Sequence, residues 1–180
     1  VNSTVADYSP FVQNTITVFM ILFGIDFTVY YLILTRRWRD ALKSDEYKVY
    51  LSVILVSALL ISVNCRYLFP DFATSLRHGF FQTASIITTT GYSTANFDLW
   101  PSLSKTILVV LMFVGACAGS TGGGLKVARF IILGKVGIRE IRYATRPKEV
   151  RSLRLSGKAV SDQSVRNVCS FFVLYVMVFV

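Results

Sequence analysis

Apolar and polar positions along this chain fall into long blocks, not into the short periods of a soluble domain. Phe11–Leu34 is a run of 24 residues with one charge, Asp26. At about 1.5 Å per residue such a helix crosses a bilayer core of roughly 30 Å with some tilt, and the pattern predicts a first span there. A short connector follows, carrying Arg36, Arg37, Arg39, Lys43 and Lys48 with Asp40, Asp45 and Glu46 among them. Val49 to Phe69, rich in Val, Ile and Leu, predicts a second span whose Arg66 is placed to snorkel outward. Ser104 to Leu133 predicts a third, interrupted near its middle by Gly115-Ala-Cys-Ala-Gly-Ser-Thr-Gly-Gly-Gly124. A last apolar run begins near Val168 and reaches Val180 after about 20 Å of helix, so both ends of the chain read as cut.

The stretch from Pro70 to Leu103 behaves differently. A helical piece is expected over Phe72 to Ile87, then the polar row Thr88 to Ser93, then a polar loop to Trp100 and Pro101. It is too short and too polar to cross twice. Non-helical backbone at membrane depth is tolerated where it is buried in protein or lines a watery cavity, so the pattern predicts a re-entrant pore loop.

Charge then sets the topology. The chain is 53% hydrophobic with a net charge of +9, a balance that in a soluble protein would suggest nucleic acid. Here sixteen of the 19 basic residues lie in the segments 36–48 and 125–166, which alternation places on one side, and Arg66, Arg77 and Lys105 flank the pore loop on the other. The positive-inside rule puts these basic loops in the cytoplasm and the pore mouth outside, with lipid as partner and no nucleic acid. Arg139, Arg142, Arg146, Lys148, Arg151, Arg154 and Lys158 suit anionic lipid or an acidic face of a cytosolic protein.

Cys65, Cys117 and Cys169 have neither CxxC nor Cys/His spacing and are expected to be packing residues. His78 has no metal-ligand spacing and reads as structural, and Asp26, between Gly24 and Thr28, reads as a polar interhelical contact. No ionisable pair or metal-ligand set stands at membrane depth apart from Asp26, so no enzyme and no organic cofactor are expected.

The candidate chemistry lies in two clusters. A conducting potassium site replaces the hydration shell of the ion with backbone carbonyls, and a row of carbonyls pointing along one axis needs a glycine, here Gly91. The row Thr88 to Ser93 is the candidate, its threonines adding hydroxyl oxygens and Tyr92 serving as a packing strut. A polar turn between two helices is the plain alternative. In the second cluster five glycines, at about 1 kcal/mol each, disfavour a regular helix. Gly115 to Gly124 reads as a flexible intramembrane loop under the filter that can block or clear the ion path; close helix packing through small residues is its alternative, and Lys126 suits either a part of the gate or an inner-interface anchor. A phosphate-binding loop is excluded because Leu125 separates Gly124 from Lys126.

Phe81-Gln-Thr-Ala-Ser-Ile-Ile-Thr-Thr-Thr-Gly-Tyr-Ser, then Leu99-Trp-Pro, then Gly115 to Val127 in that order and spacing resemble the Trk/Ktr/HKT superfamily of potassium uptake proteins, in particular its TrkH-type transmembrane subunits. The resemblance covers nearly the whole chain. It implies an all-α integral membrane fold of helix–pore loop–helix repeats around a potassium-channel-like pore, four repeats to a polypeptide, in the cytoplasmic membrane. Residues 1–48 would close the second repeat, 49–133 form the third, and 134–180 supply a basic cytoplasmic loop and the next span. The resemblance then implies that this chain gives one quarter of the filter, with potassium at Thr89, Thr90, Gly91 and Tyr92, and one gating loop of Gly119, Ser120, Thr121, Gly122, Gly123 and Gly124 with Lys126. The family also implies the remaining repeats of the parent chain, a homodimer, and cytosolic rings of nucleotide-binding regulatory subunits as partners. Ser93 stands where tetrameric potassium channels carry a second glycine, which points to weaker selectivity. A subunit of such a tetrameric channel and a non-conducting assembly subunit are the rival readings.

Overall fold

The computed structural model describes residues 4–145, 154–155 and 158–179. Arg146, Lys148 and Arg151 of the basic loop lie outside the described residues.

A 3-10 turn at Thr4–Asp7 leads into α1 (Pro10–Phe23). Ser9 caps α1 by accepting the N–H of Val12, and Pro10 suits the first turn, where no N–H is needed. The expected first span does not run on to Leu34. It breaks at Gly24–Asp26, and α2 (Phe27–Leu34) leaves at 89° to α1. Both residues of the break have a reason to be there. A Cβ at Gly24 would run into the Tyr50 hydroxyl, and Asp26 caps α2 by accepting the Thr28 N–H at 2.8 Å.

A short turn of helix, α3 (Trp38–Ala41), bridges to α4 (Asp45–Asn64). Among the described residues α4 is the one helix long and apolar enough to cross a bilayer unaided. Tyr50, Ile54, Ala58 and Ile61 line its buried stripe, while Leu51, Leu55, Val56, Leu59, Leu60 and Val63 are exposed. An outward face this apolar belongs against lipid or further protein.

The half-length helix expected after Pro70 is α5 (Phe72–Ile87), packed closely on α4. Gly79 permits that approach, since a Cβ there would lie 3.1 Å from the Ala58 carbonyl oxygen. The Ser75 hydroxyl donates to the Ser62 carbonyl at 2.7 Å. His78 stacks on Phe69 with ring centroids 4.8 Å apart and meets the Thr94 hydroxyl at 2.8 Å, a packing role. Trp100 is buried at the foot of α6 (Ser102–Phe113).

The expected third span is likewise two helices, α6 and α7 (Val127–Thr145), parted by irregular backbone. Within the break Val114 and Leu125 form an isolated parallel bridge, Gly115 N–H donating to Leu125 at 2.7 Å. The glycines thus form a loop and not a small-residue helix contact. α7 also continues past residue 134 to Thr145, so the basic segment opens as helix. A two-residue ribbon, β1 (Arg154–Leu155) with β2 (Lys158–Ala159), precedes α8 (Asp162–Phe179), which starts six residues before the expected Val168. The Arg129 guanidinium lies 4.0 Å over the Phe171 ring and joins α7 to α8. All three cysteines are free thiols, Cys65 and Cys117 buried.

Candidate pore site

A helix that stops inside an apolar layer leaves its last carbonyls without partners, at a cost of several kcal/mol each in lipid. The two breaks answer this need for each other. The Gly24 carbonyl accepts the Cys117 N–H at 3.0 Å, and the Phe23 carbonyl accepts the Thr121 N–H at 3.4 Å and its hydroxyl at 3.3 Å. In return the Gly119 carbonyl accepts the N–H of Phe27 at 3.2 Å. The Tyr30 hydroxyl donates to Leu22 at 2.6 Å and that of Tyr50 to Ile21 at 3.2 Å, completing the end of α1.

The pore segment begins where α5 ends. Thr88 closes the helix with its N–H and hydroxyl both donating to the Ala84 carbonyl, at 3.1 and 2.7 Å. Thr89 then takes a positive φ of 57°, a conformation that a β-branched residue rarely adopts. Gly91 takes 81°, with open space where a Cβ would stand. Ser85, buried in α5, is the post around which the segment turns: its carbonyl accepts the N–H groups of Thr90 at 2.9 Å and Gly91 at 3.3 Å, and its hydroxyl donates to the Tyr92 carbonyl at 2.6 Å.

Thr89, Thr90, Gly91 and Tyr92 are exposed in a continuous row, and among the described residues no hydrogen bond reaches the carbonyls of Thr89, Thr90 or Gly91. The Tyr92 carbonyl accepts the Ser85 hydroxyl, and the residue is 48% exposed. Ser93 and Thr94 are buried behind the row.

The glycine loop lies directly against the Thr88–Thr89 end of this row. The Gly123 N–H donates to the Thr89 hydroxyl at 2.8 Å, and that hydroxyl donates to the Thr88 carbonyl at 2.7 Å. A Cβ on Gly123 would sit 3.1 Å from the Thr89 hydroxyl; one on Gly122 would strike Ala116 and lie 3.3 Å from the Thr88 carbonyl oxygen. Gly119 and Gly124 both turn through φ of 75°. Ser120 donates its hydroxyl to Cys117 at 2.6 Å, and the Lys126 ammonium folds back onto the Gly122 carbonyl, inside the loop. Asp26 faces the loop too, its carboxylate 2.7 Å from where a Gly119 Cβ would stand.

Two residues outside the expected set belong to the site. Ser85 is a small polar residue in an apolar stretch, a signal that was present in the sequence. Glu46 reads as one charge among many in a connector, yet it is buried with its carboxylate accepting the Ala118 N–H from 72 positions away. No spacing rule reaches that far.

The family model of the TrkH cation transport proteins matches residues 68–180, which hold both the pore segment and the loop. The chain belongs to that family. It is 31% identical to the Trk system potassium uptake protein TrkH of Salmonella typhimurium, over 96% of this chain and 36% of that protein. It is 32% identical to the protein of the same name from Halomonas elongata, over 95% of this chain and 36% of that protein. The crystal structure of the potassium transporter TrkH from Vibrio parahaemolyticus superposes with a TM-score of 0.89 at 27% identity, covering 97% of this chain and 38% of that one. The chain thus spans about a third of the length of these relatives, and its all-α membrane fold is theirs.

Proposed function

We propose that this chain supplies one pore loop and one intramembrane gate to a protein that takes up potassium across the cytoplasmic membrane. The observation that carries the reading is the exposed row of Thr89, Thr90 and Gly91, held on Ser85, with the glycine loop hydrogen-bonded to Thr89. Carbonyls in such a row can take the place of water around a desolvated alkali cation. The relatives named as potassium uptake proteins supply the choice of ion.

On this reading residues 49–133 are one helix–pore loop–helix repeat, 1–48 the end of the repeat before it, and 134–180 the inner loop and start of the next. Potassium is cargo at Thr89, Thr90, Gly91 and Tyr92, and the segment Gly119 to Gly124 with Lys126 is the gate. The pore mouth faces outward and the basic segments face the cytoplasm, where the exposed Arg142 near the end of α7 is available to anionic lipid and to a nucleotide-binding regulatory ring. The remaining repeats and a second copy complete the assembly. The chemistry is transport, with no covalent step.

Rubidium uptake into liposomes holding the full parent protein tests the reading, with sodium as competitor. Uptake that sodium competes with poorly is the expected result. Absence of rubidium uptake by correctly inserted protein supplied with its cytosolic partner contradicts it.

A further inference from the structure

The reading above names a gate and leaves open what holds it shut. Glu46 is the second residue of α4, and a carboxylate there would ordinarily serve its own helix N-terminus. Instead the side chain is buried and reaches across to the opposite break. It accepts the Ala118 N–H within the glycine loop. One carboxylate therefore ties the first turn of α4 to the loop between α6 and α7. The loop is irregular backbone whose N–H groups need acceptors, and the carboxylate supplies one to Ala118. Burying it is costly, and the charge-assisted bond from that N–H offsets part of the cost.

We infer that Glu46 is the clasp of the gate: a positioning residue whose carboxylate holds the loop 115–124 under the pore segment and must be released when the loop moves. The inference rests on the gating reading of that loop. Neighbouring contacts place the clasp where it can be worked from outside the pore. Asp45, next in sequence, pairs with Lys135 of α7 at 3.7 Å, and the connector 35–44 ends at Glu46's own helix. A movement of the connector or of the α7 end thus pulls on the loop through one side chain.

Cys117 offers a direct readout, because it sits in the loop beside Ala118 and its side chain is fully buried. The experiment uses the full parent protein with its other cysteines replaced, reconstituted in liposomes, and measures the rate at which a charged methanethiosulfonate reaches Cys117, alongside resting rubidium influx. Loss of the charge-assisted hydrogen bond in Glu46→Ala is expected to speed labelling by about tenfold or more, with Glu46→Gln, which keeps an acceptor oxygen, in between. Resting influx is expected to rise in the same order. Wild-type labelling rates in Glu46→Ala, or in the isosteric Glu46→Gln should the alanine variant fail to insert, would overturn the clasp. Faster labelling with unchanged influx would uphold the clasp and count against the gating reading instead.

Discussion

The hydroxyl of Thr89 accepts the backbone N–H of Gly123 at 2.8 Å, so the Thr89 end of the proposed pore segment and the glycine loop are bonded to each other. Thr89 adopts positive φ to present that hydroxyl, and Gly123 has no side chain to keep it away. The row that would bind the ion and the loop that would block it are therefore one mechanical unit.

Thr89→Val keeps the shape of the side chain and removes the acceptor, leaving the Gly123 N–H without it. A lost hydrogen bond of this kind is worth about 1 kcal/mol, or about a fivefold change in an equilibrium. Resting rubidium influx through the parent protein is expected to rise by about that factor, and Thr89→Ser, which restores the hydroxyl, is expected to bring it back.

Gly122 and Gly123 differ in what surrounds them, and alanine at the two positions separates the effects. A Gly122 Cβ meets Ala116 and the Thr88 backbone, neither of which can turn aside, whereas a Gly123 Cβ meets the tip of Thr89. Overpacking costs about 1–3 kcal/mol. Gly122→Ala is expected to lower the thermal midpoint of the detergent-solubilised parent protein more than Gly123→Ala does, and equal midpoints would contradict the packing described.

Gly24→Ala drives a methyl group into the Tyr50 hydroxyl at the break between α1 and α2. It is expected to destabilise the parent protein by about 1–3 kcal/mol. Tyr50→Phe removes the oxygen at the cost of its hydrogen bond to Ile21, so the double variant is expected to be more stable than Gly24→Ala alone. The coupling, read from thermal midpoints of the four proteins, should be outside additive error.

How far the sequence announces this architecture varies by element. α4 was legible as a helix from its long apolar run, though it begins at Asp45 and ends at Asn64 where Val49 to Phe69 was expected, and α5 was legible as a half-length helix between Pro70 and the threonine row. The loop at 115–124 was legible from its glycines. The break at Gly24–Asp26 was not: hydropathy through Phe11–Leu34 is unbroken, and the chain turns there because Tyr50 fills the space and loop residues Cys117 and Thr121 supply donors. The extent of α7 was missed for a related reason, since a basic helix end looks like loop when charge alone is counted. Glu46 stayed hidden because its partners are distant in sequence.

The most direct test of the pore assignment is Gly91→Ala. Gly91 has φ of 81° and open space where a Cβ would stand, so alanine brings no collision and acts through backbone conformation alone. That conformation costs an L-residue about 1–2 kcal/mol, enough to turn the Gly91 carbonyl out of the row and to lower selectivity by about tenfold. The measurement is the competition of sodium against rubidium uptake in liposomes matched for inserted parent protein. A marked loss of preference for rubidium, with assembly unchanged, is the expected result; preference equal to that of the wild type in normally assembled protein would contradict the assignment of Thr89 to Tyr92 as the ion filter.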